Sequence, residues 1–298
     1  MAGRSIPDIV ALKAICHRDK LGRDRRFWYG ASRRVSIRVT WVLVHTGITA
    51  NQVTLLTVSL ALMGSLLVAT PPAWLALCGA SALLAYHLLD KVDGDIARFR
   101  RTYSIVGVYL DEVGHGLAFG GIFVGLGLHL AWGASTVEQA ILVLAAAAIG
   151  AVSMVLARQH KSAGFLLFAQ YVLTQPALLP EAEPAGSPHP LSREGAHRSR
   201  RGEATAAGAG ARVLVALRDT VLLCSDFVMI LVLVLTGLIS QQLGGGVAFL
   251  TAVLLVEAVL QSAVLLALFW INTTTNIRSE CLRLDALVRS REGKARDD

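Results

Sequence analysis

Charged residues are scarce in this chain. Asp, Glu, Lys and Arg make up 16% of its 298 residues, where a soluble domain carries about 25%. Together with 54% hydrophobic residues, this argues against a small water-soluble enzyme and against a disordered chain. Paired cysteines are also lacking. Cys16, Cys78, Cys224 and Cys281 stand far apart with no C-x-x-C spacing, so they indicate neither a zinc site nor a disulfide framework. No internal repeat suggests a duplicated transporter. Residues 1–38 lack a signal-peptide layout, because the first apolar block comes late and behind many charges.

What is present is a series of apolar blocks, each near the roughly 20 residues that cross a bilayer. The expected spans are about 52–70, 73–91, 106–131, 137–157, 220–239 and 247–271. The predicted fold is therefore all-α, a polytopic membrane bundle of six transmembrane helices. Residues 1–38 are expected to form a basic cytoplasmic arm. The stretch from Arg33 to Val44 suits an N-terminal amphipathic helix lying in the interface, with Trp41 as anchor. The membrane domain then covers 39–272, and 273–298 form a tail. The segment 164–180, broken by Gln170, Gln175 and Pro176, reads as a short interfacial or re-entrant helix. Residues 181–210 are rich in Pro, Gly, Ser, Ala, Glu and Arg and read as a flexible cytoplasmic loop.

The few charges are unevenly placed. Positive residues gather before the first span (Lys20 to Arg38), between the second and third (Arg98, Arg100, Arg101), after the fourth (Arg158, Lys161) and after the last (Arg278 to Arg291). The intervening turns at 70–72, 131–136 and 240–246 carry none. This positive-inside pattern puts both termini and the second-to-third connection in the cytoplasm. An even number of spans agrees. Nucleic acid is not an expected partner, since its binding needs basic residues gathered on one presented surface.

A minority of the charges lies at that second-to-third connection: Asp90, Asp93, Asp95 and Arg98, then Asp111 and His115. Asp90 and Asp93 share a helix face, as do Asp111 and His115. Carboxylates near hydrocarbon are costly unless compensated. A divalent cation compensates them, and hard oxygen ligands favour Mg2+ or Mn2+. Gly94, Ala97 and Gly107 leave room for a helix or ligand to approach the backbone. Arg98 offers a fork of donors for phosphate oxygens. The set suits metal-assisted phosphoryl chemistry, with His115 able to take a proton from an attacking hydroxyl.

These residues resemble the CDP-alcohol phosphatidyltransferase signature: Asp, two residues, Asp-Gly, two residues, Ala-Arg, eight residues, Gly, three residues, Asp, three residues, Asp. Asp90, Asp93, Gly94, Ala97, Arg98, Gly107 and Asp111 match in identity and spacing. The last position, an aspartate in the family, is His115 here. The stretch Gly47-Ile48-Thr49-Ala50-Asn51-Gln52-Val53-Thr54 is similar to the family's approach to its first span, where proline usually stands in place of Ala50. The resemblance covers roughly 40–272 and leaves 1–30 and 181–210 unexplained. It implies cleavage of a CDP-linked donor, CDP-diacylglycerol being one candidate, and transfer to an alcohol or phosphoalcohol acceptor with release of CMP. It implies a cytoplasmic-side site and a homodimer among membrane lipids. By position it makes Asp90, Asp93, Asp111 and His115 the metal residues. Asn51, Asp90, Gly94, Ala97, Arg98 and Gly107 fall on the nucleotide side, and Arg98, Asp111 and His115 on the catalytic side.

His115 admits three readings: a general base in place of the carboxylate, a ligand that reshapes the metal site, or a mark of altered activity. A non-catalytic scaffold is thus one alternative function, and a transporter is another. Glu112 points elsewhere on an ideal helix. Asp95 is expected to face solvent or the adjoining loop, with a supporting role behind the site residues as the alternative. His87, Asp226 and Glu257 are polar residues within the spans, and Arg158, Lys161 and Arg218 mark cytoplasmic span ends.

Overall fold

The computed structural model describes residues 8–17, 27–102, 104–174 and 226–271, by backbone alone for 27–31, 160–174 and 271. The described residues form eight helices. They are α1 (Ile9–His17), α2 (Phe27–Val44), α3 (Ala50–Val68), α4 (Ala73–Arg100), α5 (Ile105–Trp132), α6 (Val137–Thr174), α7 (Phe227–Gln242) and α8 (Ala248–Ile271). Two compact units divide the chain, one of 1–155 with 223–262 and one of 156–222 with 263–298. The first contains α1 to α5, α7 and the earlier parts of α6 and α8.

This is an all-α, polytopic membrane protein. Among the described residues, five helices are long and apolar enough to cross a bilayer: Ala50–Val68, Ala73–Arg100, Ile105–Trp132, Val137–Gln159 and Ala248–Trp270. The fifth expected span, about 220–239, corresponds to α7, which has 16 residues. That is about 24 Å of helix, short of a hydrocarbon core about 30 Å thick. Residues 220–225, expected to begin that span, lie outside the described residues, as do 181–210 and 273–298.

Local chemistry sets the helix ends near the site. Thr49 caps α3: its hydroxyl accepts from Gln52 N at 3.3 Å, and Gln52 Oε1 accepts from Thr49 N at 2.9 Å. This capping box places Ala50 at the first helical position, where proline is tolerated because its missing N–H has no helical partner. Pro72 starts α4. The helix ends at Arg101 with φ 55°, and Thr102 N donates to Ala97 O at 3.0 Å. Ser104 then caps α5 by accepting from Gly107 N at 3.3 Å.

One segment departs from expectation. The separate short helix over 164–180 is not formed as far as 174, because α6 runs unbroken to Thr174. Arg158 and Lys161 change polarity without breaking the backbone, and no proline intervenes before Pro176. Gly164 alone costs only about 1 kcal/mol within a helix.

Helix α3 lies against both α4 and α5. A Cβ on Gly79 of α4 would lie 2.5 Å from Val68 N and 2.6 Å from Gly64 O of α3. Only hydrogen fits there, so two backbones meet as small residues allow in membranes. Two buried clusters follow. The larger includes Ala61, Leu83, Tyr86, Ile122, Phe123, Leu231 and Leu254. The smaller joins Leu12 and Cys16 of α1, Ile37 and Val44 of α2, Ala50 and Val53 of α3, and Val92 and Ile96 of α4. Helix α2 buries Ser36, Ile37, Thr40 and Val44, one stripe at helical spacing. Trp41 is half-buried and packs against the smaller cluster, 4.5 Å from the His45 ring.

Candidate active site

The C-terminal third of α4 faces different neighbours on its different sides. Asp90 faces α5. Its Oδ1 lies 3.4 Å from His115 Nε2, and Asp111 Oδ1 lies 3.4 Å from His115 Nδ1. Ligand atoms of Asp90, Asp111 and His115 all lie within 4.8 Å of one another. Two carboxylates and an imidazole at that separation are a donor set that fits a divalent cation. All three side chains are half-buried.

The imidazole has a fixed orientation. His115 Nδ1 lies 2.8 Å from the backbone oxygen of Asp111. A carbonyl only accepts, so this contact assigns the proton to Nδ1 and leaves the Nε2 lone pair toward Asp90. A lone pair facing a carboxylate oxygen calls for a cation between them, a proton or a metal. Aromatic rings surround the imidazole. Tyr86 and Phe119 stand edge-on to it at 5.9 and 5.3 Å, and Phe227, the first residue of α7, stacks at 4.6 Å on Phe119. Asp226 caps α7 by accepting from Val228 N at 3.1 Å, so it stands just outside the helix.

Asp93 is not in the three-residue group. It is buried, its Oδ2 accepting from Thr54 Oγ1 of α3 at 2.7 Å and its Oδ1 from Gly94 N at 2.5 Å. Arg98 lies across Gly94. A Cβ at 94 would stand 3.4 Å from both Nη1 and Nη2. Gly107 makes room in the same way for Asn51, whose Oδ1 would be 2.9 Å from an added Cβ. Asn51 Nδ2 also donates to Ser104 Oγ at 3.4 Å. Ala97 is half-buried against the smaller cluster.

Residues 47–183 match the family model described as CDP-alcohol phosphatidyltransferase. The matched stretch begins two residues before the Thr49 cap and contains the whole signature from Asp90 onward, all of α3 to α6. It leaves α1, α2, α7 and α8 outside. No curated protein matches the chain. The family match fits a membrane-embedded transferase, and the cluster fits a divalent cation.

Asp95 corrects its sequence reading. It is 1% exposed, not solvent-facing, with the Arg98 Nη2 donor 2.5 Å away and His17 Nε2 at 3.3 Å. Helices α1 and α2 cover the side of α4 that a lone motif would leave open. Glu112 is exposed. His87 bonds Lys91 Nζ at 2.7 Å and neighbours Phe227. Glu257 is buried in α8, its Oε2 3.4 Å from Gln261 Nε2. The side chain of Lys161, and Arg218 as a whole, lie outside the described residues. Thr54 and Phe227 escaped the sequence reading. Thr54 ends the quoted approach to α3, but nothing local says that its hydroxyl meets Asp93. Phe227 lies in a different helix and carries no motif.

Proposed function

We propose that the chain is a member of the CDP-alcohol phosphatidyltransferase family. It acts as an integral-membrane phosphotransferase in phospholipid or related glycolipid synthesis. The convergence of Asp90, Asp111 and His115, inside the stretch that matches the family, carries this reading. Six spans, cytoplasmic termini, a cytoplasmic-side site and a homodimer complete the proposal.

The acceptor hydroxyl attacks the phosphorus that bears the transferred alcohol. The bond from that phosphorus to the bridging oxygen breaks, and CMP leaves with that oxygen. The hydroxyl proton passes to His115 Nε2, which the Nδ1 contact with Asp111 O leaves unprotonated. Asp90 and Asp111, with Asp93 as a further ligand, would hold Mg2+ or Mn2+. In the alternative in which His115 Nε2 is itself a ligand, its lone pair is occupied and it does not act as the base. Such a cation would supply charge neutralisation at the diphosphate and the leaving phosphate. Asn51, Gly94, Ala97 and Gly107 border the nucleotide, and Arg98 contacts the diphosphate. Histidine at the last signature position also favours a second reading, a family fold that binds the donor without turnover.

The test is CMP release by purified protein with Mg2+ or Mn2+, a panel of CDP-linked donors and a panel of alcohol and phosphoalcohol acceptors. Asp93→Asn and Asp111→Asn are expected to abolish release. Donor binding with no CMP from any pair would support the scaffold reading, and absence of both would overturn the assignment.

A further inference from the structure

Helix α1 lies outside the stretch that matches the family, yet its last two residues bond to the signature helix. Cys16 Sγ donates to the Asp95 backbone oxygen at 3.4 Å, and His17 Nε2 donates to Asp95 Oδ2 at 3.3 Å. Asp95 Oδ1 accepts from Arg98 Nη2 at 2.5 Å. His17 and Asp95 are 3% and 1% exposed, whereas the Arg98 side chain is 25% exposed. A buried chain of three polar groups therefore runs from an N-terminal helix to a signature arginine that reaches the surface.

The two oxygens of Asp95 do different work. An aspartate carboxylate held at one oxygen still turns about χ2, a broad torsion. Here Arg98 takes one oxygen and His17 the other, which fixes the plane of the group. Arg98 has five N–H donors in a rigid fork, so fixing one fixes the aim of the rest. Its Nε is buried with no hydrogen-bond partner among the described residues. A buried N–H left unmade costs about 1–3 kcal/mol, and oxygens of an anionic ligand would satisfy it.

We propose that His17 is a positioning residue that acts through Asp95 to aim Arg98 at the donor diphosphate. The inference rests on the reading of Arg98 as a diphosphate contact. It adds that nucleotide affinity in this protein depends on an N-terminal helix outside the matched stretch.

The test measures CDP binding to the purified full-length protein with Mg2+, by calorimetry, alongside thermal melting. His17→Ala is expected to weaken CDP about 10-fold, the lower end of what a partner behind a ligand is worth. His17→Gln, whose amide N–H can replace Nε2–H, is expected to restore most of the affinity. In an Arg98→Ala background, His17→Ala should change nothing further. If His17→Ala does not fold, His17→Asn replaces it, since its amide is too short to reach Asp95. An equal loss with and without Arg98 would show a purely structural role and overturn the inference, as would unchanged affinity in His17→Ala. Wild-type protein that fails to bind CDP with Mg2+ or Mn2+ would overturn the functional proposal itself, and this inference with it.

Discussion

Asp90 and Asp93 are three residues apart on one helix and have different partners. Three helical steps leave about 60° between two side chains. That is enough to send Asp90 to His115 of α5 and Asp93 to Thr54 of α3. Their shared face was legible in the spacing. The division between neighbours was not, because it depends on which helix packs on each side. Asp95 lies about 200° beyond Asp93, and its burial depends on α1, which is distant in sequence. His115 is where the proposal is most exposed. His115→Ala is expected to lower kcat by about 100-fold, within the usual range for losing a general base, while His115→Asp retains cation-dependent CMP release. Full activity in His115→Ala would sink the base assignment.

At the scale of elements, apolar runs and caps made α3, α5 and the start of α4 legible to within a few residues. Helix α4 itself runs on through the charged signature to Arg100, well past the expected span end near 91. The end of α6 was not legible either, because Arg158 and Lys161 mimic a helix end without a backbone break. Helix contacts were legible only in part. Glycines are frequent in such chains, and the sequence does not say which of them touch a neighbour. Gly79 does and Gly116 does not: a Cβ at 79 meets Val68 N at 2.5 Å, and at 116 it meets nothing within 4 Å. Gly79→Leu is therefore expected to cost about 3 kcal/mol or more, as overpacking does, and to lower the melting temperature in detergent. Gly116→Ala should leave it unchanged or slightly raised, since alanine favours helix by about 1 kcal/mol. Equal melting of both variants would refute the close approach of α3 and α4.

For the whole molecule, the signature end and the neutral end of the bundle differ in chemistry. The signature end gathers the caps of α3, α5 and α7 with the basic finish of α4. The other end is tied by buried His129, whose Nδ1 is 2.7 Å from Thr70 O and whose Nε2 is 3.0 Å from Gln241 Oε1. Orientation is tested with a chain whose four native cysteines are replaced by serine. Ser135→Cys is expected to react with a membrane-impermeant maleimide on intact cells, and Arg101→Cys only after permeabilisation. The opposite pattern would invert the proposed topology.

The contact between His129 and Gln241 also has a consequence for biosynthesis. Its partners are 112 residues apart, and a ribosome adds about 5–20 residues per second. The signature helices therefore wait on the order of ten seconds before α7 emerges to meet them. During that interval Phe119, which stands edge-on to His115, lacks the Phe227 ring that stacks on it. A nascent chain halted before α7 would carry the complete signature motif without the aromatic ring that α7 packs behind His115.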